Sequence, residues 1–149
     1  MAQTTAAENA CDIALSVDNA SGTLVNISGS SNTASFTITT NTAEVFTFDG
    51  DWGIKKACKS TVTLSITVVY SVTETEGLNI LMDWKFNSPT TSRTARIDIP
   101  DATVGSDRYE GEFVLESMDV PLDASDAGVI LVSASLSNDG TFVRSTISS

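Results

Sequence analysis

Residues 61–70 alternate without a break: Val62, Leu64, Ile66, Val68 and Tyr70 point one way, Thr61, Thr63, Ser65 and Thr67 the other. Side chains of an extended chain alternate between two faces, so this pattern predicts a half-buried strand. The same period runs through residues 12–17, with Ile13, Leu15 and Val17 against Asp12, Ala14 and Ser16, and through residues 35–40. Residues 18–22 read as a turn, 24–28 as a short strand and 29–34 as a loop of small residues. Residues 44–48 either continue the strand at 35–40 or return beside it through a turn at 41–43. Residues 93–99 form a further strand, closed by Pro100, and 101–108 a turn region.

The stretch GSDRYEGEFVLESMDVPLDASDAGVILVSASLSNDG, residues 105–140, predicts two long strands. In the first, Tyr109, Gly111, Phe113 and Leu115 share a face, and Glu110, Glu112 and Glu116 lie opposite, interrupted by Val114. In the second, Ile130, Val132, Ala134 and Leu136 back onto Val129, Leu131, Ser133 and Ser135, the pattern of a strand covered on both sides. A proline-bearing acidic turn joins them, Asp139-Gly140 closes the second, and a last short strand follows at 141–147.

The period changes only at residues 71–86. Ser71/Glu74 and Thr73/Glu76 have capping-box spacing, and Leu78, Leu81 and Met82, extended by Ile80 and Trp84, form a helical stripe. Gly77 opposes the helix by about 1 kcal/mol. Asp49-Gly50-Asp51 is a turn signal opening an irregular loop at 49–60, and residues 1–9 read as a flexible arm. The expectation is one mainly β domain over residues 1–149, a β-sandwich or open barrel with one flanking α-helix.

Charge narrows the function classes. Nineteen acidic against eight basic residues give −11, with no histidine. Nucleic-acid binding by counterion replacement needs Lys and Arg, and anionic membranes would repel this chain. Without histidine there is no Ser-His-Asp triad, imidazole base or histidine-held zinc. Asp49/Asp51 and Glu110/Glu112 are the candidate carboxylate pairs for a hydrolase, but acids two apart on a strand are ordinarily a solvated face. Asp119, Asp123 and Asp126 crowd one turn without EF-hand spacing, which favours a turn that prefers Asp over a calcium site. No enzyme activity, cofactor or metal is expected. Asn19 and Asn26 stand in Asn-x-Ser sequons, residues 1–12 show no secretory signal pattern, and no apolar run approaches the ~18 residues that span a bilayer. Cys11 and Cys58 are expected as free, buried thiols.

The segments RYEGEFVLESMDVPLDASDAGVILVSASLSNDG, TVTLSITVVYSVTETEGLNILMDWKF and RIDIPDATVGSDRYEG, with a weaker match in CDIALSVDNASGTLVNISGS, are similar to the major tail tube proteins of long-tailed bacteriophages. The resemblance covers most of the chain in order, and its specificity lies in the run of matches. It implies a virion structural protein, assembled in the host bacterial cytoplasm. Hexameric rings, their strands joined into a β-barrel, would stack into a hollow tube with an acidic lumen that carries double-stranded DNA during ejection. Partners would be further copies, the tape measure, the terminator and the distal tail protein, with no membrane. Glu110, Glu112 and Glu116 are candidate lumen-lining residues. Phe46, Phe48 and Trp52, with Lys55, Lys56 and Lys59, are candidate contacts between subunits or rings, because the resembling family carries an extended loop there. Trp84 is expected in the core. The alternative is a β-sandwich binding module or adhesin on a virion or cell surface.

Overall fold

The computed structural model describes residues 7, 8, 10–72, 76–125 and 128–148. Seven strands, β1 (Ala14–Asp18), β2 (Leu24–Asn26), β3 (Ser31–Val45), β4 (Ile54–Val69), β5 (Arg93–Ile99), β6 (Asp107–Asp119) and β7 (Leu131–Thr146), accompany one α-helix, α1 (Gly77–Asn87). All pairs are antiparallel, in one open sheet ordered β2-β1-β5-β6-β7-β4-β3. The mainly β class with a single helix is as the sequence predicts.

The sheet is curled, and connectivity alone requires it. β2 and β3 are its opposite edges, yet only residues 27–30 separate them. Five Cα steps reach at most about 18 Å. Seven strands laid flat would set the edges about 29 Å apart. Rolling the sheet removes the conflict and creates a concave side to fill. Val62, Leu64, Ile66 and Val68 of β4, Phe113 and Leu115 of β6, and Val132 and Leu136 of β7 point into it. Phe36 of β3 reaches across to Tyr109 and Phe142, with ring centres 4.9 and 5.4 Å away. Leu78, Leu81 and Trp84 press α1 onto the same core.

Arg93 is a buried charge against this core, 5% exposed. Its guanidinium lies 5.4 Å from the Trp84 ring centre and donates to Asp83 at 3.0 Å. Hydrogen bonds from Asn87 and from Arg93 hold the Asp83 carboxyl below its usual range.

Several local expectations give way to longer-range effects. The helix begins at Gly77 rather than residue 71. Thr73 and Glu74 of the proposed capping boxes lie outside the described residues, and the N-cap residue, Glu76, makes no side-chain capping bond. Ser30, from the turn after β2, accepts the Gly77 N–H at 3.0 Å instead. A Cβ on Gly77 would meet Ser30 Oγ at 2.6 Å and Ile27 Cβ at 3.0 Å. Gly77→Ala should therefore destabilise by about 1 kcal/mol, despite alanine's better helix propensity, because overpacking outweighs the propensity gain. A lower urea midpoint with unchanged slope is the expected reading.

The loop at 29–34 shrinks to a 3-10 turn, Ser28–Ser30, and β3 then runs unbroken to Val45, with no turn at 41–43. The irregular loop at 49–60 is equally mistaken beyond residue 53, since β4 already begins at Ile54. Asp139-Gly140 is a bulge inside a continuous β7, not a turn that ends it: Gly111 faces Phe142 and Phe113 faces Asn138. The covered second face expected for residues 129–136 is absent, because Val129 is 68% and Leu131 36% exposed. Cys11 and Cys58 form no disulfide, as expected, but both are exposed rather than buried.

Candidate functional site

β4 has β7 as a partner only from Thr63 to Val69. Outward of that, β3 and β4 continue alone as a two-stranded ribbon, pairing as far as Val45 with Ile54. From Val62 to Ile54 the projection is about 27 Å. The Gly50 N–H donates to the Thr47 carbonyl at 3.3 Å within the tip. Gly53 leaves no room for a side chain there, since a Cβ would stand 2.5 Å from Glu44 Oε1 and 2.9 Å from the Phe46 ring.

Phe46, Phe48 and Trp52 are 76, 111 and 85% exposed at this tip, with Val45 and Ile54 bare behind them. Two-stranded ribbons are marginal alone, and clustered exposed aromatics signal a contact surface. Lys55 meets Glu44 of its own ribbon at 3.9 Å, an exposed pair contributing little. Lys56 and Lys59 are exposed on β4, Lys59 at the bulge opposite residues 40–42. The structure thus gathers all six candidate contact residues on one projecting element.

The three glutamates are not one patch. Glu110 pairs with Arg96 directly across β5, and Glu112 accepts from the Thr94 hydroxyl. Beside them Arg108 grips buried Asp98 through two bonds of 2.8 and 3.2 Å, which raise the guanidinium's already high pKa. This β5–β6 surface therefore carries two Arg–carboxylate pairs and one further glutamate, Glu112, held by a hydroxyl. Glu116 stands apart as the extra residue of a bulge between Leu115 and Ser117, and the bulge reverses which side the following residues face.

That reversal completes a surface that no single strand reveals. On the side of the sheet away from the core, Thr33, Thr67, Ser133 and Asp119 line up across β3, β4, β7 and β6. The next row is Ser35, Ser65, Ser135 and Ser117, and the third is Thr37, Thr63, Ser137 and Val114. Each strand's polar alternation was legible. Their alignment needed the register and the Glu116 bulge, for which the sequence carries no local signal.

β3, the outer edge of this half, offers 15 residues of backbone with one unpaired side and contains neither Lys nor Pro. Edges without such guards invite pairing with another chain.

The remaining candidates resolve into local structure. Asp49 and Asp51 sit at the hairpin tip. Asp123 accepts the Ser125 hydroxyl at 2.7 Å and its N–H at 2.9 Å, which lowers the carboxyl's pKa. Asp126 lies outside the described residues, and among those described no group of three His, Cys, Asp or Glu converges on a metal position. Asn19 caps its own turn, accepting the Ser21 and Thr23 N–H groups at 3.0 Å each.

No family model matches the chain. No curated protein matches it either. Solved structures do. A chain from the tail of an empty gene transfer agent particle, refined with C6 symmetry, is 16% identical with a TM-score of 0.71, covering 94% of this chain and 100% of its own. The SPP1 tail tube is 14% identical with a TM-score of 0.72, covering 95% and 80%. A chain from the extended sheath–tube complex of an extracellular contractile injection system is 16% identical with a TM-score of 0.71, covering 97% and 95%. The fold is that of tail tube proteins.

Proposed function

We propose that this protein is the structural subunit of a bacteriophage-type tail tube. Six copies join sideways into a ring, rings stack head-to-tail, and double-stranded DNA passes through the bore during ejection. The observation that carries this reading is the agreement of fold with tube-forming assemblies along nearly the whole chain. The unguarded β3 edge supplies a means of joining, because edges paired around a ring disappear by closure. The aromatic tip supplies the axial contact, and head-to-tail contacts that never close yield an open filament. Lys55, Lys56 and Lys59 on the same hairpin would answer acidic groups of the neighbouring ring.

The subunit is non-enzymatic and needs no cofactor. It belongs to the virion tail, is assembled in the host cytoplasm, and meets the tape measure, terminator and distal tail proteins at the ends of the tube. Six copies at −11 each give a ring of −66 formal charge, so polymerisation should strengthen with salt.

Negative-stain microscopy of concentrated purified protein should show rings or tubes with a central hole, more numerous at 0.5 M salt than at about 0.01 M, where the screening length is near 30 Å. Persistent monomers that bind a glycan would replace the tube with the adhesin reading.

A further inference from the structure

We propose that Asn138 is the joint that aims the projecting β3–β4 arm. Its side-chain amide grips β4 at the fork where β7 leaves it, so the aromatic tip reaches the next ring from one direction. This rests on the tube reading, in which the tip makes the axial contact, and names the residue that positions it.

Register defines the fork. β4 and β7 pair from Val69–Leu131 to Thr63–Ser137, and continued register would set Val62 opposite Asn138. The two backbones part there instead. The Val62 N–H donates to Asn138 Oδ1 at 2.8 Å, and Asn138 Nδ2 donates to the Gly140 carbonyl at 2.8 Å. One side chain thus replaces the missing rung for β4 and holds the bend of its own strand. An amide does both, whereas a leucine of similar shape does neither.

The bend itself is built into β7. Residues 139–141 stand against the single residue Glu112 of β6, and Gly140 has a φ of +110°, which a side chain would disfavour. Asp139 accepts from the Ser92 hydroxyl, tying the bulge to the start of β5. Beyond it β7 continues against β6 alone, from Gly111–Phe142 to Asp107–Thr146.

The grip falls where the arm leaves the core. Val62 is the outermost buried residue of β4, and every residue from Ile54 to Thr61 is exposed. Outward of it β4 pairs with β3 only, and a two-stranded ribbon cannot fix its own direction relative to the body. The arm is about 27 Å long, so a swing of about 10° at its root moves the tip about 5 Å, further than the ~4 Å reach of an apolar contact.

The native cysteines allow a direct test, since Cys58 lies on the arm, Cys11 lies on the body before β1, and both are exposed. Spin labels on the two report the arm's direction in the monomer by double electron–electron resonance. The parent should give one narrow distance distribution. Asn138→Leu should broaden it and raise the concentration at which tubes form roughly tenfold or more, with the far-UV circular dichroism of the parent. An unchanged distribution overturns the proposal, and so does a broadened one with unchanged assembly. If Asn138→Leu fails to fold, Asn138→Ala takes its place under the same criteria. A parent that forms no tubes refutes the tube reading instead, and the label distances then still decide whether Asn138 aims the arm.

Discussion

A chain carrying Phe48→Ser and Trp52→Ala should lose tube formation at every concentration where the parent polymerises, yet melt within a degree or two of it. Both side chains are almost wholly exposed and support nothing in their own subunit. Aromatic anchors in subunit contacts typically contribute 2 kcal/mol or more each. Removing about 4 kcal/mol of stacking energy per subunit would raise the critical concentration roughly a thousandfold. Sedimentation velocity and electron microscopy read the assembly, and near-UV circular dichroism reads the fold. If the double variant instead unfolds, the tip belongs to the subunit's own stability and the axial contact lies elsewhere.

Trp84→Ala should have the reverse signature, failing as a monomer before assembly is reached. The side chain is completely buried, and its Nε1–H donates to the Thr91 carbonyl at 2.7 Å. Large-to-small changes of this kind cost about 3–5 kcal/mol, roughly a fifth or more of a typical domain's stability of about 5–15 kcal/mol. The loss would also strip the ring from beneath Arg93, leaving a buried guanidinium with only Asp83 and two backbone carbonyls, of Asp18 and Ile80. Trp84→Phe refills most of the space but cannot donate to Thr91, so a loss of about 1–2 kcal/mol is expected. Urea unfolding of the two variants separates the packing cost from the hydrogen bond. Equal losses would mean that the cavity contributes nothing beyond the missing donor.

The contrast between these residues follows what a linear sequence can carry. Strict alternation at Val62–Val68 and the bounds of β5 at Arg93 and Ile99 were legible, because a strand's two faces are written residue by residue. The apolar stripe of α1 located Trp84 correctly, since helical spacing is also local. Its start was not legible: the group that satisfies the first helical amide is Ser30, 47 residues earlier. Lys55, Lys56 and Lys59 hid the outer half of β4, because a ribbon bare on both faces has no reason to alternate apolar with polar. Asp139-Gly140 has the composition of a tight turn, and only the neighbouring strand decides that the chain continues through it. The exposed aromatics and lysines between Phe46 and Lys59 were legible one by one, but not as a single projecting arm. The hydroxyl rows were invisible as a surface until four registers were known.

The short passage from Asn26 to Ser31 joins the two ends of the strand order. It buckles the two rims of the rolled sheet together with covalent bonds. Traction applied to β3 by an adjoining copy would pass directly into β2 and β1, rather than unzipping the strands one by one. A conduit made of such self-clasped units would bend or lengthen at the joints between them, with each unit keeping its shape.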